Sequence, residues 1–279
     1  MGKLAASIIS IYRALFAKKR FYRFHRSLYL LSLKGMGLLN SENDQVSGED
    51  FFLRHTFPDL IPGERRPVVL DVGANEGNYA SKVKQVYPNA DVYALEPHPK
   101  TFKKLQLQAE KCGFRAYNIA CGREGGQLEL YDYLGTGETG TTHASMYRNV
   151  IEELRASEAI SWKVQVTDLD QFIEEYRIQK VHLLKIDTEG HDFSVLQGSQ
   201  GAINSGVIEI IHFEFNEMNV ISRTSFKDFH DSLPQYRFFR MLPDGLVSLG
   251  EYVPVMHELF AYQNIVGIPQ RRLSGQRAN

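Results

Sequence analysis

Apolar residues along this chain gather in short continuous runs separated by amphipathic stretches, the alternation expected of buried parallel strands joined by helices. Val68, Val69, Leu70 and Val72 form the first run, and Asp91 to Leu95, Arg115 to Ala120, Val181 to Ile186 and Val207 to Phe215 form four more. Helical periodicity predicts Tyr79 to Val86, with Asn78 as its N-cap, then Pro99 to Lys111, Leu169 to Tyr176, His191 to Asn204 and Ser225 to Leu233. Gln127 to Tyr133 reads as an extra strand entering the polar loop Gly135 to Asn149, and Val164 and Val166 mark another short strand. Gln235 to Leu242 and Glu258 to Val266 read as a closing antiparallel pair, with Pro243-Asp244-Gly245 as a turn signal. The pattern predicts an α/β fold, a doubly wound seven-stranded sheet of Rossmann type whose ligands bind beyond the carboxyl ends of its strands.

Ahead of this unit lies a segment with a different pattern. Leu4, Ile8, Ile11, Tyr12 and Leu15 fall on one helical stripe, as do Phe21, Phe24, Leu28 and Leu31, while Lys19, Arg20, Arg23 and Arg26 crowd another side. Its charge-free runs fall short of the roughly 18 to 20 apolar residues that span a bilayer, and Arg13 interrupts it where a signal peptide needs an unbroken apolar core. Polar, proline and glycine residues accumulate between 40 and 65. The expected division is a basic amphipathic helical extension with linker over 1–64 and the main domain over 65–279.

The formal net charge of -1 hides this division. Residues 1 to 40 hold eight bases and no acid, leaving 24 bases against 33 acids elsewhere. Two readings follow, a helix lying on an anionic membrane surface or a helical hairpin packed on the domain with its bases solvated. Two cysteines, Cys112 and Cys121, make neither a disulfide framework nor a metal cluster, which suits a reducing compartment. The expected location is cytoplasmic, peripheral at the inner membrane surface if the helix lies there.

Candidate chemistry begins where the first run ends. Asp71 interrupts an apolar strand, so its carboxylate is either a structural liability or a group aimed at something at the strand's carboxyl end, and Gly73 and Gly77 border the turn that follows. The spacing is G-x-x-x-G rather than the G-x-G-x-x-G of dinucleotide sites. Glu96 ends the second strand 19 residues beyond Gly77, where a carboxylate reaches ribose hydroxyls. Asp71, Gly73, Gly77 and Glu96 together resemble the cofactor site of class I S-adenosylmethionine-dependent methyltransferases.

A second segment sharpens the resemblance. Lys185-Ile186-Asp187-Thr188-Glu189-Gly190-His191-Asp192, followed by Val195-Leu196-Gln197-Gly198, is similar to the KIDxEGxE and VLxG signature of the FkbM family of methyltransferases, and Thr167-Asp168-Leu169-Asp170 resembles the segment preceding it. The similarity covers about residues 65 to 267. Asp192 stands where the family has glutamate, and the family's serine pair appears as His143-Ala144-Ser145-Met146. The resemblance implies a Rossmann-like methyltransferase sheet, S-adenosylmethionine as cofactor held by Asp71, Gly73, Asn75, Gly77, Asn78, Glu96, Pro97, Ala120 and Asp187, and hydroxyl acceptors, including those of polysaccharides and polyketides.

A hydroxyl nucleophile needs a base or a metal that lowers its pKa. Asp187, Glu189, His191 and Glu214 are the candidate catalytic residues. Strand alternation puts His212, Glu214 and Asn216 on one side, and Asp187, Glu214 and Asn216 are oxygen donors suited to Mg²⁺. His182 reads as a structural strand residue. The sequence therefore points to an O-methyltransferase of a sugar, glycolipid or polysaccharide precursor, with a small-molecule or polyketide hydroxyl or a non-catalytic cofactor-binding module as alternatives. A Rossmann oxidoreductase is disfavoured by the glycine spacing. Nucleic-acid methylation is disfavoured because neither an Asn/Asp-Pro-Pro-Tyr/Phe pattern nor a Pro-Cys nucleophile occurs.

Overall fold

A computed structural model describes residues 3–133 and 144–273. Its main sheet has eight strands: β1 (Val68–Val72), β2 (Asp91–Leu95), β3 (Arg115–Tyr117), β7 (Val181–Ile186), β8 (Ile208–Glu214), β9 (Tyr236–Leu242), β10 (Gly245–Ser248) and β11 (Asn264–Pro269). They lie in the order β10-β9-β11-β8-β7-β1-β2-β3. β3, β2, β1, β7 and β8 run parallel, and β11, β9 and β10 add antiparallel pairs. The expected seven strands are present with an eighth at the edge, because the Pro243-Asp244 turn folds the chain back on β9 as a hairpin. The last strand is Asn264–Pro269 rather than Glu258 to Val266; residues 258–263, which follow the helical turn Pro254–His257, are irregular.

A second, three-stranded sheet has the order β4-β6-β5, with β4 (Ala120–Cys121), β5 (Gly126–Tyr133) and β6 (Ala159–Thr167). The expected strand Arg115 to Ala120 thus divides between two sheets, breaking at Asn118-Ile119. The short strand anticipated at Val164 and Val166 is the buried part of the longer β6, whose other residues are mostly open. Part of the expected polar loop, residues 135–143, lies outside the described residues. The expected single helix from His191 to Asn204 is two short helices, Asp192–Gln197 and Gln200–Asn204. Gly198 interrupts them, packed so closely on Gly122 that a Cβ there would meet the Gly122 carbonyl oxygen at 2.0 Å.

Both faces of the main sheet are covered, which is why β7 is buried at every position. Leu70, Val72, Leu184, Ile186, Ile211 and Phe213 face one apolar cluster with Phe172, Leu196 and Phe229. Val69, Leu183 and Ile210 face the other, with Phe52, Phe57, Ala80 and Leu105. Residues 44–60, expected as polar linker, are a run of helical turns whose Phe52, Leu53, Phe57 and Leu60 enter that second cluster. Their apolar side chains recur at near-helical spacing among polar neighbours, so composition alone misleads. His182 accepts a hydrogen bond from the Val68 N–H at 2.9 Å, in a structural position.

The basic extension forms helices Lys3–Phe16 and Tyr22–Gly35. No helix among the described residues is long and apolar enough to cross a membrane.

Candidate active site

Two cavities open at the carboxyl ends of β1, β2, β7 and β8. The narrower is lined by Gly73, Asn75, Glu96, Pro97, Ala120 and Cys121, with Leu130 and Met146 from the small sheet's side. The wider has a volume of 610 Å³ and is lined by Asp71, Tyr79, Lys185, Asp187, Glu214 and Tyr262 among others. That volume lies within the roughly 300–1,000 Å³ of small-molecule sites. Gly73, Asn75, Asp187 and Glu189 border both cavities.

The turns after β1 and β7 hold these shared residues close. The Gly73 and Ala74 N–H groups donate to the Leu95 carbonyl, and the Asp187 N–H donates to that of Val72. Gly73 has φ +80°, and a Cβ there would lie 1.8 Å from the Asp187 carbonyl oxygen, so only glycine lets the turns meet. Asn75 and Glu189 also adopt positive φ, +50° and +53°. Asn tolerates that conformation, whereas for Glu it is a local strain of the kind found at binding sites.

Glu96 sits in the narrower cavity with both oxygens engaged, Oε2 by the Asn75 N–H at 2.9 Å and Oε1 by the His98 N–H at 2.8 Å. Burial raises its pKa to about 7, against the pull of those two N–H groups. Each oxygen keeps a second lone pair for a hydroxyl donor. This is the carboxylate geometry that a ribose requires, and the apolar wall of Ala120, Cys121, Leu130 and Met146 suits a flat base. The residues present therefore fit an adenosine moiety. His98 also stands 3.3 Å from Asp132 of β5, both nearly inaccessible, which ties the two sheets together beside Glu96.

Alternation explains the wider cavity. Asp71, Lys185 and His212 are cross-strand partners on β1, β7 and β8, so their side chains share one face with Asp187 and Glu214. The result is a buried nest of ionisable groups. Lys185 Nζ lies 2.9 Å from Asp187 Oδ2 and 5.1 Å from the centre of the Tyr79 ring. Burial pushes the ammonium down, but Asp187, Asp71, Glu49 and Glu214 together raise it well above its ordinary value. Asp71 is fully buried with no hydrogen-bond partner on either oxygen, and burial raises it to about 6 despite Lys185. Burial first, then repulsion from Asp187, raises Glu214 well above the carboxylate range, although it stays partly open to the cavity.

Several expected residues stand elsewhere than the sequence implied. Asp71 lines the wider cavity, not the narrower one. Gly77 lines neither cavity; it is the N-cap of helix Asn78–Val86, packed against Leu105 and Phe114, and so takes the cap position expected of Asn78. Asn78 faces the wider cavity. His191 lies in the narrower one, its Nδ1 3.4 Å from the Tyr147 hydroxyl, and burial lowers it to about 4. His212 is buried away from both cavities, 3.0 Å from the Asn264 side-chain oxygen, and burial lowers it to about 3. Ser145 donates to the Glu189 carbonyl at 2.8 Å, bracing the strained turn.

Asp187, Glu214 and Asn216 do line one cavity, but the trio does not fit Mg²⁺. Asn216 Oδ1 accepts from the Met218 N–H at 2.9 Å, its amide nitrogen faces Glu214 Oε2 at 3.3 Å, and Asp187 is paired with Lys185. Among the described residues no group of three His, Cys, Asp or Glu is arranged to hold a metal ion. Sequence reasoning missed Lys185, Glu49 and Tyr262. The alternation of Lys185 with Asp187 was a signal for the first; nothing local marked the others.

The family described as Methyltransferase FkbM domain matches residues 71–240. The chain is 29% identical over 152 residues to Methyltransferase 1 of Beauveria bassiana, covering 50% of this chain and 61% of that protein. It is 22% identical over 192 residues to the 2-O-methyltransferase NoeI of Sinorhizobium fredii, covering 64% and 76%. Against the hexuronic acid methyltransferase AglP of Haloferax volcanii it is 25% identical over 146 residues, covering 52% and 55%.

Proposed function

This chain belongs to the FkbM methyltransferase family, and on that premise we propose that it is an S-adenosylmethionine-dependent O-methyltransferase acting on a sugar hydroxyl. The observation that carries the reading is the meeting of a narrow cavity that holds the Glu96 carboxylate and a roomy polar one at Gly73, Asn75, Asp187 and Glu189. Two relatives whose names specify a 2-O-methyl group or a hexuronic acid favour a sugar over other hydroxyl acceptors. Bound across the junction, S-adenosylmethionine supplies a sulfonium methyl electrophile. Glu96 accepts the ribose hydroxyls, and Ala120, Cys121, Leu130 and Met146 exclude water from the base. Lys185 holds Asp187 Oδ2, leaving Oδ1 to take the acceptor's proton. Glu214, whose proton burial and the Asp187 charge favour, faces the same cavity as a polar contact for the acceptor. His191, neutral and on the adenosine side, positions the Tyr147 segment rather than moving the proton.

The test incubates the purified chain with methyl-labelled S-adenosylmethionine and a panel of oligosaccharides and small polyols. Label is expected in an alkali-stable sugar ether, and a chelator is expected to leave the rate unchanged. Asp187→Asn is expected to lower kcat on the order of 10²-fold while S-adenosylhomocysteine still binds. Label appearing only as ester or amine, or on no sugar at all, overturns the acceptor class, and full activity in Asp187→Asn removes it as base.

A further inference from the structure

The helices Lys3–Phe16 and Tyr22–Gly35 leave their apolar side chains bare. No residue from Leu4 to Ser32 is buried. Leu4, Ile8 and Leu15 on the first helix and Tyr22, Phe24 and Leu31 on the second are all exposed, Leu4 to 76% and Leu31 to 68%. The two helices touch at one corner, where the Tyr12 hydroxyl lies 3.2 Å from His25 Nδ1 and the Phe16 and Phe21 rings are 5.4 Å apart. Helices of this length are marginal in water without a partner for their apolar face, and a contiguous exposed apolar surface marks a binding site.

Charge identifies the partner. The segment carries Arg13, Lys18, Lys19, Arg20, Arg23 and Arg26, and among the described residues its one salt bridge joins Lys34 to Glu42, beyond the acid-free stretch. A second copy of the chain covering the stripe brings basic residues against basic residues. A nucleic acid satisfies the bases and leaves the stripe wet. We propose that this hairpin docks on an anionic lipid bilayer, with its apolar side chains in the headgroup and acyl boundary and its bases against the headgroups.

The joint between hairpin and domain gives the docking a consequence for the acceptor, which rests on the methyltransferase reading, whereas the docking does not. Leu33 is buried, the Leu39 N–H donates to the Tyr262 carbonyl, and Arg240 donates to the Met36 carbonyl. Ser41, Asp44 and Tyr262 line the wider cavity. The acceptor cavity is therefore tethered to the bilayer through a few ordered residues, as a lipid-linked glycan acceptor requires.

The full chain is sedimented with vesicles of phosphatidylglycerol and phosphatidylcholine and with phosphatidylcholine alone. Binding is expected only to the anionic vesicles, with release at 1 M salt, where the Debye length is about 3 Å. The triple substitution Arg20→Gln, Arg23→Gln and Arg26→Gln is expected to weaken vesicle binding about tenfold or more while S-adenosylhomocysteine binding persists. If that variant fails to fold, Phe24→Trp in the otherwise native chain decides the matter. Its added indole, beside the single native Trp162, is expected to shift its emission to the blue on anionic vesicles. Equal binding to neutral vesicles, no binding to either, no emission shift, or a dimer dissociated by Ile8→Ser and Leu15→Ser overturns the proposal.

Discussion

Glu96 offers the sharpest test of the cofactor cavity, because its ionisation and its ligand compete for the same two oxygens. The rise from an ordinary value of 4.5 to about 7 corresponds to about 3 kcal/mol between the protonated and ionised folded states. Between those two pH values the folded state keeps a proton that the unfolded state releases, so stability falls as pH rises, by up to that amount. Ribose hydroxyls donating to the carboxylate favour its ionised form. Affinity for S-adenosylhomocysteine should therefore rise with pH up to about 7 and level off above it, and binding near pH 6 should release a proton. Glu96→Gln removes both effects. Its amide leaves one of the Asn75 and His98 N–H groups facing a donor, at a cost of about 1–3 kcal/mol, and that cost should show fully at pH 5. Near pH 8 the gap in stability to the native chain should narrow, since the native chain alone has lost its buried proton. The charge-assisted bonds to ribose are worth about 1.5–3 kcal/mol, so affinity at pH 8 should fall about tenfold or more. Calorimetry in buffers of different ionisation enthalpy measures both the affinity and the proton. A native affinity independent of pH from 6 to 8, or an unchanged affinity in Glu96→Gln, refutes the reasoning.

Lys185→Met strands the carboxylates of the nest and should destabilise the fold by about 3–5 kcal/mol near pH 8. The deficit should shrink by pH 5 as Asp71 takes up a proton, and denaturant titrations at the two pH values check it. Gly73→Ala forces a Cβ against the Asp187 carbonyl, so thermal melting should show a midpoint lower by about 5 °C or more, with loss of S-adenosylhomocysteine binding; a native melting curve contradicts the required close approach.

The parallel core was legible in the sequence because strands buried on both faces leave continuous apolar runs, and β1, β2, β7 and β8 begin and end within a residue or so of the expected positions. Glu96 was legible for a related reason: the distance from one strand end to the next across a single helix is nearly fixed. The nest around Lys185 was not, because it depends on the register that sets Asp71, Lys185 and His212 side by side and on Glu49 and Tyr262, which arrive from opposite ends of the chain. The division of one expected strand between two sheets was equally hidden. Ile119 follows Asn118, whose side chain donates to the carbonyls of Glu96 and Pro97, and nothing in a short apolar run announces that its last residue, Ala120, pairs with Val166, 46 places later.

The contact between His98 and Asp132 joins the small sheet to the segment that carries Glu96. Glu96, Pro97 and His98 form one short arm whose near end lines the narrower cavity and whose far end touches Asp132 of β5. On the proposed reading, a tilt of the three-stranded sheet would move that arm and with it the carboxylate. The chain between β5 and β6 thus leaves a strand that reaches, through Asp132, the short arm carrying Glu96.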